Sequence, residues 1–288
     1  MPPPGLTTRQ VSRLRRGELS PGAPADQAVA VEEPLEIRVA SEPIAVTMRT
    51  PGQDDRLAVG FLFSEGVVTS IDDVASVVHC GRPGEEGTAN VVDVVAAPGV
   101  VLDADRLAAT RRGTLTTSAC GVCGRRTIDD LVASSQPLED GDPIPLELLT
   151  RSTEELAAAQ ATFGLTGGVH AAAAFDAGGG LLAVAEDVGR HNAVDKVVGA
   201  LLYDNRIGPG VEKARRPCVL AVSGRASFEI VQKAARAGVP AVVAISAATS
   251  LAIDLATRVG LTLAGFSRGG ELAIYSGLHR VAPGRRRP

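Results

Sequence analysis

The strongest constraint on the fold lies between Val169 and Tyr275, where short apolar runs alternate with segments of helical spacing. Val169–Phe175 and Leu181–Ala185 read as neighbouring strands joined by Gly178-Gly179-Gly180. Val194, Val197, Val198, Leu201 and Leu202 recur at the spacing of one helix face. Cys218–Val222 is a continuous apolar strand, and Ile230, Val231, Ala234 and Ala235 form the next helix face. Ala241–Ile245 repeats the strand pattern, and Leu251, Leu255 and Val259 mark a further helix. Leu261–Ala264 and Leu272–Tyr275 complete the set. Such alternation predicts a largely parallel α/β layer structure, because parallel neighbours need crossover helices that cover the sheet. No internal repeat is evident.

The chain ahead of this unit differs in character. Residues 1–28 are rich in Pro, Gly and Arg with little periodicity, the composition of a disordered arm. Leu35, Ile37 and Val39 alternate with Glu36 and Arg38, and Ile44, Val46 and Met48 alternate again. With Ser41-Glu42-Pro43 between them, they predict a β-hairpin with one buried face. Pro51-Gly52 breaks the second strand. Asp54 and Asp55 suit a helix start, Leu57, Ala58, Phe61 and Leu62 supply its apolar face, and Gly66 can end it. Val74–Val78 and Val91–Val95 read as further strands. From Thr110 to Arg126 the pattern changes to mostly Arg, Thr, Ser, Gly and Cys with no apolar face, a long polar loop. A second apolar unit follows Pro143 and Pro145. The expected organisation is an arm at 1–28, a smaller N-terminal α+β domain at 29–109, a mobile loop and linker at 110–142, and an α/β domain at 143–288.

Composition narrows the function classes. Hydrophobic residues at 45% allow a sizeable core, but aromatics are 3% and Trp is absent, so Ala, Val, Leu and Ile must build it. A formal charge of −4 argues against a general nucleic-acid binder, which needs a basic surface to release counterions. No apolar run approaches the roughly eighteen residues of a membrane span. The first 25 residues carry four arginines and no apolar h-region, unlike a secretory signal. A cytoplasmic protein with no membrane partner is expected. Its four cysteines (Cys80, Cys120, Cys123, Cys218) are too few and irregular for a disulfide scaffold. Closely spaced cysteines in such a chain point to metal or redox chemistry.

The segment Ser118-Ala119-Cys120-Gly121-Val122-Cys123-Gly124-Arg125-Arg126 is the sharpest chemical signal. A thiol attacks as its thiolate, and flanking Arg111, Arg112, Arg125 and Arg126 favour that form. Two such cysteines can pass a sulfur between them or release it by closing a disulfide. A zinc half-site would need two further ligands, and no second C-x-x-C or H-x₃-H pair exists. A thioredoxin-like dithiol would open a helix after a strand, whereas this pair lies in a loop. A sulfur-carrying nucleophile fits best.

Three strand-to-helix junctions carry residues suited to anions. Glu186-Asp187-Val188-Gly189-Arg190-His191-Asn192, Ser223-Gly224-Arg225-Ala226-Ser227 and Ser246-Ala247-Ala248-Thr249-Ser250 each precede a predicted helix. Helix N-termini offer unpaired N–H groups, and ligands of open α/β sheets sit at strand carboxyl ends. Any one of these could be an ordinary helix cap. Together with Gly265-Phe266-Ser267-Arg268-Gly269-Gly270, they favour a phosphate or nucleotide site with Arg190, His191, Ser223, Arg225 and Arg268 as candidates. His170 is a weaker cofactor-binding candidate, since a histidine at the start of an Ala-rich strand is more often a satisfied core residue. Cys218 suits packing, and Cys80 has no assigned role.

Several long motifs, in order, resemble the formate dehydrogenase accessory sulfurtransferases of the FdhD/NarQ family. They are Val31-Glu32-Glu33-Pro34-Leu35, Met48-Arg49-Thr50-Pro51-Gly52, Gly60-Phe61-Leu62 with Glu65-Gly66, Cys120-Gly121-Val122-Cys123-Gly124, Glu186 through Lys196, Ser223 through Ser227, and Gly265-Phe266-Ser267-Arg268. The resemblance implies that Cys120 accepts a persulfide from a cysteine desulfurase, with Cys123 assisting. The sulfur would pass to molybdenum bis(molybdopterin guanine dinucleotide), a bound substrate contacted by Phe266, Ser267, Arg268, Gly269, Gly270 and Glu271, before that cofactor enters formate dehydrogenase. It also implies a homodimer and a cytidine-deaminase-like three-layer α/β second domain, with no permanently bound metal. Deaminase chemistry is not implied, because His170-Ala171-Ala172 lacks the glutamate of H-x-E and no P-C-x-x-C follows.

Overall fold

The computed structural model describes residues 5–14, 16, 22–80, 90–102, 137–139 and 141–282. The Cys120–Cys123 segment, its four flanking arginines and the Arg285–Arg287 tail lie outside the described residues.

The chain opens with β1 (Leu6–Val11) and β2 (Ala25–Ala30), an antiparallel pair running from Leu6 opposite Ala30 to Val11 opposite Ala25. The arm expected to be unstructured over residues 1–28 thus carries these strands among its described residues. Neither strand places a residue in the buried core clusters. Backbone pairing rather than an apolar face orders the pair, so hydrophobic periodicity did not reveal it.

β3 (Glu33–Val39) and β4 (Glu42–Arg49) form the predicted hairpin, with Leu35, Ile37 and Val39 buried. The turn itself is Ala40-Ser41, both at positive φ, and Asp93 accepts hydrogen bonds from the Ser41 N–H and hydroxyl. Helix α1 (Asp54–Glu65) starts on its two aspartates and ends at Gly66, whose left-handed conformation (φ 81°) suits glycine. β5 (Val74–His79) and β6 (Val91–Ala96) complete a four-stranded sheet ordered β4-β3-β6-β5.

After β7 (Ile144–Pro145) come α2 (Leu146–Ala159) and the short α3 (Ala161–Thr166). Then follow β8 (His170–Phe175), β9 (Leu181–Asp187), α4 (Arg190–Tyr203), β10 (Val219–Val222), α5 (Phe228–Arg236), β11 (Ala241–Ala244), α6 (Ser250–Val259), β12 (Thr262–Arg268) and β13 (Glu271–Ser276). A short β14 (Val281–Ala282) pairs with β7. The larger sheet is ordered β13-β12-β11-β10-β8-β9. Only β10/β11 and β11/β12 are parallel, while β8/β9, β8/β10 and β12/β13 are antiparallel. The fold class is α/β as expected, but the sheet is mixed rather than largely parallel. Its two edges are hairpins, and strands joined by a tight turn can only be antiparallel.

Alternate residues of the central strands face two cores. Ala171, Ala173, Phe175, Val219, Ala221 and Val243 pack with Leu149 and Leu156 of α2 on one face. On the other, Ala172, Leu220, Val222 and Val242 pack with buried residues of α4, α5 and α6. The sheet is therefore the middle of three layers. The second core is continuous with Leu35, Ile37 and Val92 of the smaller sheet and with Leu57 and Leu62 of α1.

Helices α1 and α4 meet at unusually close range. A Cβ at Gly60 would collide with the Asp195 carbonyl, and one at Gly199 with the Arg56 carbonyl. Polar groups lock the same junction. The fully buried Asp187 accepts from Lys196 Nζ at 2.7 Å, Gly189 N at 2.8 Å, Asn192 Nδ2 at 3.1 Å and Thr50 N at 3.2 Å. Lys196 Nζ also donates to the Thr50 carbonyl at 2.8 Å, and Asn192 Nδ2 to the Met48 carbonyl at 2.7 Å. The end of β4 is thus clamped to the start of α4. Deeper in, Lys233 Nζ lies 2.7 Å from Asp195, which accepts from the Ser64 hydroxyl of α1. Burial pushes the Asp195 carboxyl up to about 6 against the pull of Lys233.

Candidate cofactor-binding cleft

The carboxyl ends of β10, β11 and β12 lie side by side, and the segments leaving them build one cleft. Ser223, Ile245, Ser246, Phe266 and Arg268 line its volume of about 570 Å³. The loops after β10 and β11 are held together by backbone bonds from Ala226 N to Ala247 O and from Thr249 N to Ala226 O. β12 is drawn in by the bond from Phe266 N to Ser246 O. Gly265 permits this approach, since a Cβ there would stand 2.8 Å from the Ser246 carbonyl.

Phe266 is the most unusual lining residue. It is 58% exposed, and its φ of 53° is a conformation that costs a bulky side chain about 1–3 kcal/mol. Strand pairing on either side of the bulge holds it there. An exposed ring over a polar cleft is a stacking platform for a planar group. Gly269 and Gly270, both at positive φ, form the two-residue turn between Arg268 and Glu271, which keeps the Arg268 side chain exposed at the hairpin end. Ser267 points away: it is buried and its hydroxyl is 2.7 Å from that of Thr153 on α2. Its part is to seat β12.

The other candidates gather beside Ser223. A Cβ built on Gly224 would lie 3.5 Å from His170 Nδ1 and 3.6 Å from Arg190 Cδ, so the loop passes directly over both side chains. Ser223 accepts a hydrogen bond from Ala171 N, fixing the loop to β8. Arg190 is half-buried, and its Nε has no hydrogen-bond partner. Burial, then the neighbouring Arg225 guanidinium, lowers its pKa, with the Glu229 carboxylate opposing. Burial, then Arg190, lowers the His170 pKa as well, with Asp187 opposing, which disfavours a further cation at that imidazole. Arg225 itself is exposed. His191 is buried, its ring between Ser227 and Glu229.

Among the described residues no side chain caps α4, α5 or α6, although Ser227 and Thr249 occupy cap positions. Their first N–H groups remain available to an anion. The arrangement can therefore hold phosphates by guanidinium and backbone donors and stack a planar ring on Phe266. Among the described residues no three His, Cys, Asp or Glu side chains cluster as metal ligands. No described helix is long and apolar enough to cross a membrane.

Sequence reasoning placed Asp187 and Asn192 among anion-facing residues, whereas the structure turns both to the clamp on β4. The two remaining cysteines stand apart from the cleft. Cys218 immediately precedes β10, at the end opposite the cleft, where burial raises its thiol to about 11, and Cys80 follows β5.

These features define an α/β protein with an anion-receptive cleft at the carboxyl edge of a mixed sheet. The chain belongs to the FdhD/NarQ family, whose model matches residues 30–282. A relative from Anaeromyxobacter dehalogenans strain 2CP-C is 53% identical over 266 residues, 92% of each chain. One from Streptomyces avermitilis is 48% identical over 279 residues, 95% of each. Both are named sulfur carrier protein FdhD. A crystal structure of a candidate formate dehydrogenase accessory protein from Desulfotalea psychrophila shares the fold, with a TM-score of 0.71 at 23% identity. That match covers 97% of this chain and 100% of the other.

Proposed function

We propose that the protein is a cytoplasmic, homodimeric sulfurtransferase. It takes sulfur from a cysteine desulfurase as a persulfide on Cys120 and delivers it to molybdenum bis(molybdopterin guanine dinucleotide). That cofactor, the substrate of the transfer, then enters formate dehydrogenase. The observation that carries this reading is the cleft itself. Arg190, Arg225 and Arg268 surround it or its adjoining loop, three uncapped helix starts stand at its edge, and an exposed Phe266 offers a base a stacking surface. The names of the relatives support a sulfur-carrier role.

Release is balanced within the Cys120-x-x-Cys123 pair. The Cys123 thiolate attacks Cys120 Sγ, the bond to the outer sulfur breaks, and hydrosulfide leaves with the electron pair and a proton. The two thiols supply both electrons and end as a disulfide, which a cellular dithiol reduces back.

The nucleotide part has its own test. Arg268→Ala removes one charge-assisted contact to phosphate. Binding of guanosine diphosphate, measured by calorimetry, is expected to weaken by about ten- to a hundredfold. Unchanged affinity would place the phosphates away from the β12–β13 turn.

A further inference from the structure

Beside the cleft, the starts of α4 and α5 bring a hydroxyl, an imidazole and a carboxylate together. Ser227 Oγ lies 3.0 Å from His191 Nε2, and Glu229 Oε2 lies 3.3 Å from His191 Nδ1. In the Nδ1–H tautomer, which an ionised Glu229 favours because a carboxylate only accepts, the Nε2 lone pair faces the serine hydroxyl. Lys233, 3.7 Å from Glu229 and anchored on Asp195, helps to hold that carboxylate in place. This order of groups is the one that makes a serine nucleophilic: the carboxylate orients the base, and the base takes the hydroxyl proton.

The surroundings suit an acyl group. Ser227 immediately precedes α5, yet its hydroxyl makes no capping bond to that helix. The uncapped first N–H groups of this nine-residue helix therefore stand next to the nucleophile, where a tetrahedral oxyanion would need donors. Ser227 keeps part of its surface accessible, while the imidazole behind it is buried. Arg225, two residues before Ser227, and Arg190, adjacent to His191 and with an unpartnered Nε, add positive charge on the approach. An uncharged ester would make no use of it.

We propose that Ser227, His191 and Glu229 form a second reactive centre that hydrolyses activated acyl esters carrying an anionic group. Ser227 Oγ bonds to the acyl carbon as its proton passes to His191 Nε2. The carbon–oxygen bond to the leaving alcohol then breaks, and His191 returns the proton to that alcohol. Water adds to the acyl-serine with His191 again as base, and the bond to Ser227 breaks to release the acid. Water is the only co-reactant.

The probe is mono-4-nitrophenyl succinate, an activated ester with a free carboxylate, given to the full-length protein while nitrophenol release is followed. Hydrolysis is expected to fall by about a hundredfold in Ser227→Ala and in His191→Gln. In parallel, a fluorophosphonate is expected to leave one phosphonyl group per chain, which peptide mass mapping places on Ser227. The mapping uses the unsubstituted protein, so it decides even if a variant does not fold. A Ser227→Ala rate within about twofold of the parent would overturn the proposal. So would a phosphonyl group found elsewhere or absent. Neither readout involves Cys120 or a sulfur donor, so the sulfur-carrier reading stands or falls separately.

Discussion

Replacing Cys120 with alanine is expected to abolish maturation of formate dehydrogenase while leaving the protein folded. In the proposed transfer Cys120 carries the persulfide and Cys123 supplies the thiolate that releases the sulfur, so on that reading Cys123 does not substitute for Cys120. Stability is expected to hold because the sequence around Cys120 has no apolar face to lose, and substitutions in such segments usually change stability by no more than about 0.5 kcal/mol. The check is formate-dependent dye reduction in cells whose own carrier is replaced by the variant. Full activity would remove Cys120 from the transfer.

The second large effect concerns the clamp between β4 and α4. Lys196→Met leaves Asp187, fully buried, without the ammonium 2.7 Å from it, and removes the donor to the Thr50 carbonyl. Burial already raises the Asp187 pKa, with Lys196 opposing, so loss of the lysine makes the charged form costlier. Breaking a buried pair from one side typically costs about 3–5 kcal/mol, and that loss is expected here in denaturant unfolding. Adding Asp187→Asn to the variant should recover part of it, because no uncompensated charge remains. A loss below about 0.5 kcal/mol in Lys196→Met would contradict the clamp.

The order of elements was legible in the sequence because periodicity is local. Leu35, Ile37 and Val39 showed their strand, and Val194, Val197 and Leu201 their helix, before any partner was known. Strand direction was less legible. Gly178-Gly179-Gly180 marks a strand connection in the sequence, but strand–helix alternation outweighs it, and two antiparallel edges read as part of a largely parallel sheet. The β1–β2 pair was missed because backbone bonds leave no mark in hydropathy. At the cleft, Ser223 and Arg268 line one volume, and Arg190 and Arg225 stand beside the loop that carries Ser223. Asp187, Asn192 and Ser267 turn elsewhere, toward Thr50, Met48 and Thr153, each more than a hundred residues away in sequence. The contact of Ser227 with His191 is likewise long-range, and both residues read locally as parts of helix starts.

The central claim, that Cys120 carries sulfur, is tested most directly by weighing the intact protein after incubation with a cysteine desulfurase and cysteine. The account predicts a gain of one sulfur atom per chain, lost on treatment with a dithiol, absent in Cys120→Ala and retained in Cys123→Ala. A mass that stays unchanged in the parent protein, or that rises equally in the Cys120→Ala variant, would contradict it.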